Sequence, residues 1–135
     1  MTEYTKPLPG ITPDNQPFWE ACRRHELSLP RCGDCGHLRL PGPICPQCLS
    51  MDSEWARVSG RGKLYTWTVI HQRYHSGFAD ELPYNVAIVE LEEGPKLISS
   101  VVGCDNDDLR VGIEVEVVFE DVTGEVTLPK FRPSA

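Results

Sequence analysis

Four cysteines fall in two close pairs, Cys32-Gly33-Asp34-Cys35 and Cys45-Pro46-Gln47-Cys48, with nine residues between the pairs. Thiolates at this spacing suit one tetrahedral ion. Zinc takes four sulfurs at about 2.3 Å and has no competing geometric preference. A shell of four sulfurs leaves no open position for water, so the zinc read here is structural, not catalytic. Iron is the second reading, since tetrathiolate sites also hold it and it would permit electron transfer. No flavin or nicotinamide motif accompanies the cysteines. His37, beside the first pair, is surplus to a complete shell and reads as a surface residue.

The second cluster with chemical capacity is His71, Arg73, Tyr74, His75 and Phe78, in a loop between two strand-like segments. A histidine there has the chemistry of a general base, and an arginine that of a phosphate ligand. The plainer reading is a surface loop that packs on a partner, since aromatics and arginine are common interface anchors. Phe18 and Trp19, on a short amphipathic helix, pack on the chain's own core or dock on a partner; the first is favoured. Trp67 reads as core. Neither a glycine-rich phosphate loop nor a nucleophile elbow is present, so free-standing catalysis has little positive support. No catalytic residue is assigned.

These residues need elements to position them. Residues 1–13 carry Pro7, Pro9 and Pro13 and read as an extended arm. Asp14 or Asn15 caps a helix over 15–25, with Pro17 in its first turn and Arg23 and Arg24 at its end. Leu27, Leu29 and Arg31 form a strand feeding the first cysteine pair. Leu38 and Leu40 form another between the pairs, and Pro41-Gly42-Pro43 reverses the chain. Residues 49–61 read as a linker, with Trp55 covering one side of the metal module. Strands follow at 64–71, 84–91, 96–103, 113–120 and 125–131, rich in β-branched and aromatic types. Glu92-Glu93-Gly94-Pro95 turns a hairpin. Lys130, Phe131 and Arg132 read as an interface tail or a disordered end.

The fold class expected is mainly β: an N-terminal helix and zinc ribbon, followed by a five-stranded OB-fold barrel. The units expected are 1–26 (arm and helix), 27–58 (ribbon) and 59–135 (barrel with tail).

Composition narrows the partners. The chain has 135 residues, 40% hydrophobic, and a formal net charge of -7. A nucleic-acid binder needs a basic footprint to displace counterions, and four metal-bound thiolates make the balance more negative. Nucleic acid is therefore disfavoured, although ribbons and OB barrels both serve that role elsewhere. No apolar run is long enough to span a membrane. The start lacks the basic and apolar regions of a signal peptide, so a cytoplasmic setting with reduced thiols is expected. Cys22 and Cys104 read as buried inert thiols.

The whole chain resembles the DUF35 family. The resemblance rests on the Phe18-Trp19 helix, the leader LPRCGDCGHLRLPGPICPQC, the strand GKLYTWTVIHQ, the hairpin PYNVAIVELEEGPKLISSVVG and the tail LPKFRP. It implies a rubredoxin-like zinc ribbon held by Cys32, Cys35, Cys45 and Cys48, joined to an OB-fold. It also implies an accessory role in a hetero-oligomer. The partner is a thiolase-fold enzyme, a thiolase or aldolase, that makes or breaks a carbon–carbon bond on an acyl-CoA. The alternative partner is a MaoC-like enoyl-CoA hydratase in lipid or steroid degradation. Phe18, Trp19, His71, Arg73, Tyr74 and Phe78 are the candidate partner or CoA contacts.

Overall fold

The computed structural model describes Tyr4 and residues 6–134. Residues 1–3 and 5 of the expected arm, and Ala135 of the expected tail, lie outside the described residues. The helix α1 runs Gln16–Arg23 with Pro17 in its first turn. Asn15 stands at the cap position, but its side chain turns back to the arm: Oδ1 accepts from Thr12 N at 2.7 Å and Nδ2 donates to Gly10 O at 3.0 Å. The helix buries Phe18, Ala21 and Cys22. Trp19 stands edge-on to Phe18, ring centroids 5.0 Å apart. The first reading of the aromatics holds for Phe18, which is part of the core.

Strand β1 (Leu27–Cys32) pairs antiparallel with β2 (Ser53–Val58), placing Leu27 opposite Val58 and Cys32 opposite Ser53. The expected linker therefore contains a six-residue strand. Its pairing partner lies more than twenty residues upstream, beyond any local signal. The expected strand at Leu38–Leu40 is reduced to a single bridge, Arg31 to Leu38. Cys32 ends β1, and Cys35, Cys45 and Cys48 lie in the loop between β1 and β2.

Five further strands make one sheet: β3 (Arg61–Ile70), β4 (Tyr84–Leu91), β5 (Lys96–Ser99), β6 (Glu114–Asp121) and β7 (Thr127–Pro133), in the order β5-β4-β3-β6-β7. The sheet curls until its outer strands meet. Phe131 N donates to Ser100 O at 3.0 Å, and Val102 N donates to Phe131 O at 2.7 Å. Ser99 Oγ donates to Pro129 O at 2.8 Å. This is the OB-like closure expected. At Gly62, where β3 passes between β4 and β6, a Cβ would lie 2.4 Å from Glu90 O, so only glycine permits this approach.

Strand β5 stops at Ser99, short of the expected 103. Asn85, a buried polar side chain on β4, takes over the pairing: its Oδ1 accepts from Val101 N and its Nδ2 donates to Val101 O, both at 2.8 Å. The tail is not loose: it is strand β7. Phe131 is fully buried, while Lys130 pairs with Glu120 and Arg132 with Glu116.

One apolar core spans all three parts. Phe18 and Cys22 of α1, Leu27 and Leu29 of β1, Val58 of β2, and Val89, Leu91, Leu97, Val115 and Phe131 of the barrel form one cluster. Trp55 packs on its margin. A second, smaller cluster of Leu64, Ala87, Val101 and Leu109 carries Trp67 and the half-buried Cys104 at its edge. Burial pushes the Cys22 thiol up to about 12, so it is inert as expected.

Two outcomes follow. Phe131→Ala should destabilise the chain by about 3–5 kcal/mol, read as a lower midpoint of urea unfolding. The second concerns Asp121, whose Oδ1 accepts from Thr127 Oγ1 at 2.6 Å and lies 3.0 Å from His25 Nε2. These contacts, Thr127 first, hold its carboxyl below the ordinary 3.8. A depressed carboxylate stabilises the fold above its unfolded value and loses that contribution as pH falls through its folded value. The penalty of Asp121→Ala should therefore be full at about pH 5 and shrink below about pH 4.

Candidate metal centre

The loop from β1 to β2 folds into two similar knuckles. In the first, Gly36 N donates to Cys32 O at 3.0 Å; in the second, Leu49 N donates to Cys45 O at 2.9 Å. Each knuckle needs a left-handed residue four places after its first cysteine: Gly36 has φ 77° and Leu49 has φ 65°. Glycine adopts this conformation freely, whereas for an L side chain it costs about 1–2 kcal/mol. Cys32 N donates to His37 O at 2.8 Å and Cys45 N to Ser50 O at 2.9 Å. Ser50 Oγ also bonds the Asp34 carboxylate, which ties the two knuckles together.

The knuckles bring all four sulfurs within 4.8 Å of one another. Cys32 Sγ lies 3.5 Å from Cys48 Sγ, and Cys35 Sγ lies 3.6 Å from Cys45 Sγ. A tetrahedron with zinc–sulfur bonds of about 2.3 Å has edges of about 3.8 Å. A disulfide would need about 2.05 Å. The cage therefore fits a tetrahedral ion and not a pair of disulfides. Cys32 and Cys45 are buried, and Cys35 and Cys48 are exposed.

The electrostatics of the cage point the same way. The Cys35 amide, donating to Cys32 Sγ, brings that thiol down to about 6 against the opposing effect of burial. The Cys48 amide lowers Cys45 likewise. The Ser50 amide favours the Cys48 thiolate, but the Cys32 sulfur, burial and the other sulfurs together push Cys48 up to about 12. The thiolate is thus favoured at Cys32 and Cys45 and disfavoured at Cys35 and Cys48. Full ionisation of four adjacent thiols needs a cation among them, and a bound dication supplies it.

The other candidate residues separate into two groups. Phe18, Trp19 and Phe78 converge on a cavity of about 700 Å³, with Tyr84, Leu40 and Ile98 also in its wall. It lies where α1, the ribbon loop and the β5–β7 seam meet. Phe78 packs on Tyr84, ring centroids 5.0 Å apart. Ile98 is 73% exposed at the cavity mouth. His71, Arg73 and Tyr74 are exposed outside this cavity, on the loop after β3. His75 is structural: its Nδ1 accepts from Gly77 N at 2.9 Å and caps the short 3-10 segment Ser76–Glu81. His37 is half-buried instead of exposed. Sequence reasoning missed Tyr84 and Ile98, which read only as strand residues.

Residues 19–52 match the model of the ChsH2 rubredoxin-like zinc ribbon domain, and residues 55–120 match that of the ChsH2 C-terminal OB-fold domain. A probable enoyl-CoA hydratase alpha subunit from Thermomonospora curvata is 39% identical over 96% of this chain; the chain spans 40% of that relative's length. A DUF35 domain-containing scaffold protein from Methanothermobacter thermautotrophicus is 40% identical, over 76% of this chain and 78% of the relative. Among solved structures, a chain of the Ltp2-ChsH2(DUF35) aldolase superposes with a TM-score of 0.86 and 39% identity, covering 95% of this chain and all of that one.

Metal analysis of the purified chain should find one zinc per chain. Cys45→Ser should remove most of it, since a hydroxyl is a poor substitute for a thiolate ligand. Gly36→Ala should cost about 1–2 kcal/mol, read as a weaker zinc affinity in competition with a chelator.

Proposed function

The chain belongs to the DUF35 family, and on that premise we propose that it is a non-catalytic, zinc-holding subunit of an acyl-CoA-processing complex. Its partner is a thiolase-fold enzyme, a thiolase or an aldolase, that makes or breaks a carbon–carbon bond on a CoA thioester. Zinc, held by Cys32, Cys35, Cys45 and Cys48, is structural: it fixes the ribbon loop against the barrel. The observation that carries this reading is the likeness to the Ltp2-ChsH2(DUF35) aldolase chain along 95% of the present chain.

The site geometry supports the same division of labour. A four-sulfur cage has no free coordination position for substrate. The half-buried and buried aromatics Trp19, Phe78 and Phe18 wall a cavity whose mouth exposes Leu40 and Ile98. A recess with apolar rim residues is what a partner side chain or an acyl portion fills. His71, Arg73 and Tyr74 stand on an exposed loop, available for polar contact with the partner or with CoA.

A second reading, partnership with a MaoC-like enoyl-CoA hydratase, is favoured by one observation: the 39% identity to the Thermomonospora hydratase alpha subunit across nearly the whole chain. Affinity purification from the native host separates the two. The proposal expects a thiolase-fold protein in stoichiometric amount; a hydratase in its place selects the second reading, and no acyl-CoA enzyme at all overturns both. Ile98→Glu, at a largely exposed position, should leave folding intact and weaken capture by about tenfold or more, as expected of an interface anchor.

A further inference from the structure

Arg39 is an exception among the cations of this chain. It follows the first knuckle, and its side chain is 94% shielded, being 6% exposed. Nη2 donates to Gly42 O at 3.0 Å. Nε and Nη1 have no hydrogen-bond partner among the described residues, and no carboxylate there forms an ion pair with Arg39. A guanidinium stays charged at any physiological pH. A buried, uncompensated charge costs several kcal/mol, and unsatisfied buried donors call for a partner such as an ion or an ordered water.

The surroundings say where that anion would sit. Arg39 lines a cavity of about 500 Å³, walled on the ribbon side by His37, Leu38 and Pro46 and on the barrel side by the β4–β5 turn, from Glu93 to Lys96. Two other charged side chains stand in this wall. Glu93 Oε2 accepts from Ser59 N at 2.7 Å. Lys96 Nζ lies 3.8 Å from Glu90 and over the Tyr65 ring. Glu93 keeps its negative charge, and Arg39 is the cation of this wall without an ion-pair partner among the described residues.

We propose that Arg39 anchors an oxyanion site at the ribbon–barrel seam that takes a phosphate group of a small molecule. The guanidinium fork matches the geometry of phosphate oxygens and gives charge-assisted hydrogen bonds. The cavity is of the size that holds small-molecule ligands, about 300–1,000 Å³, and exceeds what one partner carboxylate would fill. Nε and Nη1 are closed off from solvent in this conformation, so an anion in the cavity reaches them only when the Arg39 side chain turns toward it. Bound there, the anion joins the metal module to the barrel. Two sources share this chemistry: the phosphates of CoA, which rests on the acyl-CoA reading above, and free phosphate or pyrophosphate, which does not.

The test uses the full, zinc-loaded chain and three probes: pyrophosphate, coenzyme A, and pantetheine, which lacks phosphate. Binding is measured by calorimetry and mapped by amide chemical shifts. Pyrophosphate is expected to bind, with the largest shifts at residues 37–40 and 93–96, and Arg39→Met is expected to weaken it at least about tenfold. Coenzyme A binding at the same amides, with pantetheine silent, identifies CoA as the source. Pyrophosphate binding without coenzyme A binding identifies free phosphate and leaves partner capture unaffected. Silence of both pyrophosphate and coenzyme A, shifts confined to another surface, or equal binding by Arg39→Met overturns the site. Should Arg39→Met fail to fold, the wild-type shift map decides alone.

Discussion

Helix, ribbon strands and barrel depend on one shared apolar core. A two-stranded sheet is marginal alone in water, and β1 and β2 are no exception. They become stable because Leu27, Leu29 and Val58 press into the same cluster as Phe18, Cys22 and Phe131. The helix is the wedge between ribbon and barrel, touching β1 on one side and β7 on the other. Ribbon, helix and barrel are thus held in a fixed relation, and the cavity they enclose has a defined shape.

That core ends where the knuckles begin. Between Gly33 and Asp52 the buried residues are Arg39 and Cys45, too little apolar surface to hold a loop of this length. Backbone hydrogen bonds set the shape of each knuckle, and the sulfur cage closes it. Metal binding and folding are coupled in such a segment, because the thiols must lose protons and the loop must lose freedom together. A metal held by the four cysteines would do locally what Phe131 does for the rest.

Much of this is legible in the sequence, and the reasons are local. Strand β4 is read to the residue because Tyr84–Leu91 lies between Pro83 and a Glu-Glu-Gly-Pro turn. The cysteine spacing states the metal site directly. Strand β2 is illegible because Ser-Glu-Trp-Ala-Arg-Val gains its strand character from β1, across the whole knuckle loop. The early end of β5 is decided by Asn85 reaching Val101, a side-chain contact with no periodic signature. The burial of Arg39 is likewise invisible, since an arginine between Leu38 and Leu40 of an expected strand alternates away from the apolar face. His71, Arg73 and Tyr74 attract attention as residue types, but the fold places them apart from the aromatics with which they were grouped.

The central claim is that this chain shapes and supports an acyl-CoA enzyme and performs no carbon–carbon chemistry itself. The most direct measurement compares turnover of one CoA thioester by the purified zinc-loaded chain, by the partner alone, and by the two together. The account predicts no turnover by the chain, and turnover by the pair above that of the partner alone. Turnover by the isolated chain at the rate of the pair would contradict it.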